Sequence, residues 1–331
     1  MPVQPVYLAP PPLYSSFHVE IDALLRHSPD AFGKTNMPKT VSTTATDDIA
    51  ASSECAGGGL DDTLALPGRE PVGVRWYGKG QRATGGGTPL VLHFHGGAFT
   101  SGCLDSGALV PRLLAQAGAV VASLAYPLAP VHPFPAGIET GYAALDWLHK
   151  HRVKLGGKGT RIFLAGEEAG GNIAAAVAAM ARDRAHPPLA GQILLSPMLD
   201  PCTGTASLRD ATCDVTAGNC KWTEGWLAYL RGPRDAEHPY AVPGASCRMA
   251  GIAPTLVLSG VADPMHDEAK SYADKLRAAG VPVSWEPIEQ ARGWPDALAQ
   301  EGMEQCPCAN TLLERFRTFF AETVLTPKPP H

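Results

Sequence analysis

The stretch that most constrains this chain runs from Arg161 to Ala176, RIFLAGEEAGGNIAAA. The apolar run Ile162–Ala165 reads as a buried strand, and the alanine-rich segment after Gly170 reads as a helix. Between them the chain has room only for a sharp turn, crowded enough to need residues without a Cβ, and Gly166 and Gly170 supply them. Such a strand–turn–helix element lifts its tip residue out of the sheet and into a crevice. Where the tip does acyl chemistry the pattern is Gly-x-Ser-x-Gly. Here the tip is Glu168.

The rest of the chain fits a sheet that could carry such a turn. Strand-like runs fall at 72–77, 90–94, 119–124, 161–165, 192–196, 255–259 and 281–286. Helical patterns lie near 106–117, 136–152, 170–184, 266–279 and 309–322. This alternation predicts an α/β fold with a mostly parallel sheet and helices on both faces. Catalytic groups in such sheets gather at the carboxyl ends of the strands. Residues 200–243 interrupt the alternation and carry Trp222, Trp226 and Tyr229, so they read as an insertion closing over the site. Residues 1–61 read as an N-terminal arm and lid segment, proline-rich over 1–12, with a short amphipathic helix over 17–32 and loop over 35–60. The main domain spans 62–325, and 326–331 form a tail.

Composition narrows the partners. The 331 residues carry a formal charge of −5 and no basic run, which argues against nucleic acid. No apolar stretch is long enough to span a bilayer. The N-terminus lacks a basic region followed by a continuous apolar one, so no secretory signal is read. Eight cysteines in a chain of this length do not make a disulfide framework, and the reading is a cytoplasmic protein with reduced thiols. A homodimer is kept open.

Two further motifs surround the turn. His93-Phe94-His95-Gly96-Gly97-Ala98-Phe99 follows a strand directly, and consecutive glycines there free backbone N–H groups to form an oxyanion hole. Asp263-Pro-Met-His-Asp267-Glu268 follows the strand ending in Ser259-Gly260, where an aspartate can reach a neighbouring loop. Between them, Tyr126–Pro130 and His132–Ala136 form a proline-stiffened crossover.

In order and spacing, HGGAF, YPLAP, PFPA, GEEAGGN and DPMHDE resemble the hormone-sensitive-lipase-like family of α/β-hydrolases, mostly carboxylesterases. The resemblance covers about 62–325 and implies an eight-stranded sheet, a lid, and an oxyanion hole at Gly96, Gly97 and Ala169. The family usually has a third glycine where Ala98 stands. Its elbow reads GDSAGGN, so the serine position is Glu168 here, and Glu167 stands for a structural aspartate. Its catalytic histidine follows the last strand, where this chain has Arg292, whereas its acid maps onto Asp263. No cofactor or metal is implied.

Arginine cannot shuttle a proton near neutral pH. Glutamate and arginine placed where serine and histidine would meet can instead form a bidentate pair. The expectation is therefore a chain Glu168–Arg292–Asp263, or a Glu168 carboxylate bent into the oxyanion hole. Phe99, Cys103, Trp222 and Trp294 are candidate pocket residues, with Cys103 also a candidate nucleophile. His95 is read as bracing the glycine loop, His93 as strand-bound, and Cys306 and Cys308 as ordinary thiols. His266 is read as facing away from the elbow. The leading functional expectation is a non-hydrolytic or repurposed protein that binds a small apolar ligand with an oxygen function near Arg292. The alternatives are a lyase, cyclase or isomerase with Glu168 as general base, and an ester hydrolase with an unusual Glu168 mechanism.

Overall fold

The computed structural model describes residues 59–78, 87–201, 207, 220–299 and 307–325. The arm and helix expected within 1–58, most of 202–219 and the tail therefore lie outside the described residues, as does Cys306. The strands are β1 (Leu60–Leu64), β2 (Val72–Tyr77), β3 (Leu90–Phe94), β4 (Val120–Leu124), β5 (Ile162–Glu167), β6 (Gly191–Leu195), β7 (Thr255–Gly260) and β8 (Val283–Ile288). The helices are α1 (Leu109–Gln116), α2 (Ala136–Gly156), α3 (Ala169–Asp183), α4 (Lys221–Tyr229), α5 (Pro233–Ala236), α6 (His266–Ala278) and α7 (Pro307–Leu325).

The strands form one eight-stranded sheet in the order β1-β2-β4-β3-β5-β6-β7-β8. From β4 to β8 every pairing is parallel, whereas β2 runs antiparallel to both β1 and β4. β1 falls at the edge of a segment read as loop. Its sequence, LDDTL, has exposed acidic residues in mid-strand and gives little apolar signal. β8 begins two residues later than the apolar run suggested, because Val281 packs into the core ahead of the strand.

Alternation along the central strands sorts the core into two layers. Leu90, Leu92, Phe94, Ile162, Leu164 and Leu194 face α2, α3 and α6. Val91, Val121, Phe163, Ala165, Ile193 and Leu195 face α1 and α7. Each fully buried Val, Leu or Phe contributes about 1.5–3 kcal/mol, so the central strands anchor the fold. The carboxyl ends of β3, β5, β6 and β7 lie side by side, which brings the glycine loop, the elbow and the acid-bearing loop together.

The elbow depends on close backbone approach. A Cβ on Gly166 would lie 2.2 Å from the Gly170 carbonyl oxygen, and one on Gly170 would lie 2.0 Å from the Phe94 carbonyl oxygen. Both obstacles are backbone and cannot swing away. Gly170→Ala is therefore expected to lower stability by about 3 kcal/mol through forced separation of β3 from α3, read as a shift in the urea midpoint.

Candidate functional site

Glu168 sits between β5 and α3 with φ 52° and ψ −117°, a conformation that L residues rarely adopt. A non-glycine residue held there stores strain at the tip of the turn. Its main chain is fixed from both sides: its N–H donates to the Leu195 carbonyl at 3.0 Å, and its carbonyl accepts the Met198 N–H at 3.0 Å. The side chain is buried at the N-terminus of α3, where the helix dipole favours a carboxylate.

Four donors meet that carboxylate. Oε2 accepts the backbone N–H of Gly97 at 2.5 Å and of Ala98 at 3.1 Å. Oε1 accepts the Trp222 indole N–H at 2.6 Å and lies 3.2 Å from Lys221 Nζ. An ionised carboxylate offers about four acceptor positions, so this one is saturated. The bend into the glycine loop is the geometry expected for a self-filled oxyanion hole, but the donors differ from those expected. Gly96 donates instead to Glu167 Oε1 at 3.2 Å, while Ala98 supplies the second N–H. Ala169 begins α3 as a fully buried residue beside the tip. Ala98 and Phe99 both take positive φ, 48° and 65°, which turns the loop so that Gly97 and Ala98 point at the carboxylate.

The expected ion pair between Glu168 and Arg292 is not formed. Arg292 is exposed and pairs with no acidic group among the described residues. The cause is local. Ala291 is buried, with its carbonyl packed on Gly260 so closely that a Cβ there would lie 2.5 Å away. Its neighbours Gln290 and Arg292 then face outward. The cation on Glu168 is Lys221, the first residue of α4, which also pairs with Asp296 and lies 4.8 Å from the Trp222 ring centre. Burial alone would push the Lys221 ammonium down, but Glu168 and Asp296 outweigh it and hold it above its ordinary value. Sequence reasoning singled out Trp222 and overlooked Lys221 beside it; the adjacent lysine at the start of an aromatic helix was the available signal.

Asp263 does not join Glu168 either. Its Oδ2 accepts the Ser196 hydroxyl and the Gly260 N–H, and its Oδ1 accepts the Met265 N–H at 2.8 Å. Burial pushes its carboxyl above the ordinary value, against the pull of those three donors. Glu167 acts as a brace. Its Oε2 meets His93 Nε2 at 2.7 Å, and His93 Nδ1 meets Ser123 Oγ at 2.9 Å, which links β3, β4 and β5 beneath the loop. His95 stacks on Tyr126 with centroids 4.6 Å apart, and Tyr126 donates to the His95 carbonyl. No group of three metal-ligating side chains occurs among the described residues. His266 Nδ1 meets Ser259 Oγ and the Gly260 carbonyl.

Of the four candidate pocket residues, two meet at the site. Trp222 binds Glu168, and Phe99 stacks on Tyr229 at 4.1 Å and packs on Trp226 at 4.9 Å. α4 thus lies directly on the glycine loop, close enough that a Cβ on Gly225 would meet the Ala98 carbonyl oxygen at 2.1 Å. Trp294 is instead part of the core against α1 and α7. Cys103 is exposed, and its partners lie in its own turn, where the Ser106 backbone lowers its thiol.

A mostly parallel sheet with a strained strand–helix turn facing a glycine loop defines the α/β-hydrolase class. A family model for the alpha/beta hydrolase fold matches residues 91–292, and the chain belongs to that family, in its hormone-sensitive-lipase-like, esterase-like branch. It is 37% identical over 205 residues to carboxylesterase NlhH of Mycobacterium tuberculosis, a match covering 59% of this chain and 62% of that protein. It is 34% identical over 214 residues to the gibberellin receptor GID1A of Arabidopsis thaliana, covering 61% of each. The crystal structure of esterase LipW from Mycobacterium marinum superposes with a TM-score of 0.66 at 28% identity, covering 82% of this chain and 84% of that one. No helix among the described residues is long and apolar enough to cross a membrane.

Three expectations follow from the geometry. Glu168→Gln sets an amide donor against a pair of donors whichever way it turns, and should cost about 1–3 kcal/mol. Trp222→Phe, which removes one donor and keeps an aromatic ring, should cost about 1 kcal/mol. Urea denaturation of both variants checks the order. Because folding raises the Asp263 pKa, its contribution is complete in acid and is lost as pH rises through the raised value. Asp263→Asn should flatten that fall in stability above the ordinary aspartate range, measured by urea midpoints across a pH series.

Proposed function

We propose that this chain is a non-hydrolytic, ligand-binding member of its family, with residues 200–243 as a lid over a site for a small, largely apolar molecule. The observation that carries this reading is the Glu168 carboxylate seated on the Gly97 and Ala98 N–H groups. In acyl transfer those donors must be free to stabilise charge on a substrate oxygen, and removing one alone typically costs about 100-fold to 1000-fold in rate. Here they are held by a group that is itself fixed from the lid side by Trp222 and Lys221. The same saturation counts against Glu168 as nucleophile or general base, since no acceptor position is left to face a substrate. Arg292 at the position of the family's histidine is exposed and supplies no proton shuttle. The ligand's oxygen function would face Lys221, with Phe99 and Trp222 contributing the aromatic wall. A relative named as a gibberellin receptor supports ligand reception on this frame.

The test offers p-nitrophenyl butyrate and a fluorophosphonate probe to the purified chain. The expected result is no covalent labelling, at most trace hydrolysis, and quenching of tryptophan fluorescence by ester that is recovered intact. Fast turnover abolished by Glu168→Gln would overturn the reading and establish Glu168 as a catalytic group.

A further inference from the structure

A cavity lies at the opposite end of the sheet from the elbow, where β5, β6, β7 and β8 begin. It measures about 790 Å³, within the range of small-molecule sites. Its lining changes character along its length. At the β5 end stand Arg161, which immediately precedes the strand, and Arg152 and His149 from α2. Toward β7 and β8 the wall is Ile252, Pro254 and Val281. Four adjacent strand starts span about 14 Å at the usual strand spacing.

Among the described residues no carboxylate pairs with the charge at the β5 end. Arg161 Nη1 donates to Thr323 Oγ1 at 3.0 Å and Nη2 to the Phe320 carbonyl at 3.1 Å, which hold the guanidinium in place against neutral acceptors. Its carbon lies 5.6 Å from the centre of the Phe163 ring. Arg152 donates to the His149 carbonyl at 2.6 Å. Neither arginine pairs with a carboxylate among the described residues. Other arginines in the fold do: Arg75 meets Asp61 and Asp105, Arg231 meets Asp235, and Arg248 meets Asp183. Two positioned guanidinium groups at the head of an apolar groove match a ligand with a carboxylate at one end and a hydrocarbon body.

We propose that this groove is a second binding site, distinct from the elbow, for a medium-chain carboxylate. Its carboxylate meets Arg161 and Arg152, and its chain lies across the starts of β6, β7 and β8. The proposal does not depend on the function proposed for the elbow. Burying the tail gives affinity in proportion to apolar area, while the arginines set the polarity of the head.

Calorimetric titration of the full chain with decanoate, with decanol and decyltrimethylammonium as neutral and cationic counterparts, tests this. Decanoate is expected to bind at one site and at least about tenfold more tightly than either counterpart, the worth of a charge-assisted hydrogen bond. Arg161→Gln and Arg152→Gln should each weaken it by roughly tenfold. Ala253→Trp, which fills the apolar end, should abolish binding, and Trp222→Phe should leave it unchanged. Arg152 does not anchor α7, so its variant carries the test if Arg161→Gln fails to fold. Equal binding of decanol, no binding of decanoate, or loss of binding in Trp222→Phe would each overturn the proposal.

Discussion

The contact between the Glu168 carboxylate and the N–H groups of Gly97 and Ala98 organises the upper face of this molecule. It joins the tip of the turn after β5 to the loop after β3, and through Oε1 it draws in the first turn of α4. A carboxylate buried there would be costly if left unpaired, since desolvating an isolated charge outweighs most single contacts. Two backbone donors, an indole, an ammonium and a helix N-terminus together compensate it. The strained tip conformation is tolerated because the main chain on either side is pinned to β6 and to the Met198 segment.

Beneath this contact lies a brace of buried polar groups. Ser123, His93 and Glu167 run in sequence across three strands and end on the Gly96 N–H. Adjacent glutamates thus divide the glycine loop between them: Glu167 takes Gly96, and Glu168 takes Gly97 and Ala98. The division explains why the loop donors are offset by one residue from those expected. Glu167 reaches the first N–H of the loop, and the next two are left for the tip.

Much of the sheet was legible in the sequence, because apolar runs buried on both faces announce themselves. The elbow was legible for a different reason, since glycines at 166 and 170 are needed wherever backbones approach to about van der Waals contact. β1 was missed because an edge strand with three polar residues in mid-strand carries almost no periodic signal. Arg292 was misplaced because its orientation is set by the burial of Ala291 against Gly260, a long-range packing fact with no local trace. Lys221 was overlooked because a lone lysine at a helix start is ordinarily solvated. Only the fold of α4 onto the glycine loop shows that this one, exposed as it is, reaches the Glu168 carboxylate.

The outward turn at Ala291 also bears on how readily such a protein could exchange one chemistry for another. Placing a serine at 168 takes one change, but an imidazole at 292 would point into solvent. The loop would have to be rebuilt around a new anchor before it could face the elbow, and Asp263 would have to release Ser196. A serine at 168 and an imidazole at 292 would therefore be kept apart by backbone geometry as well as by side-chain identity. Drift at single positions would leave that separation in place.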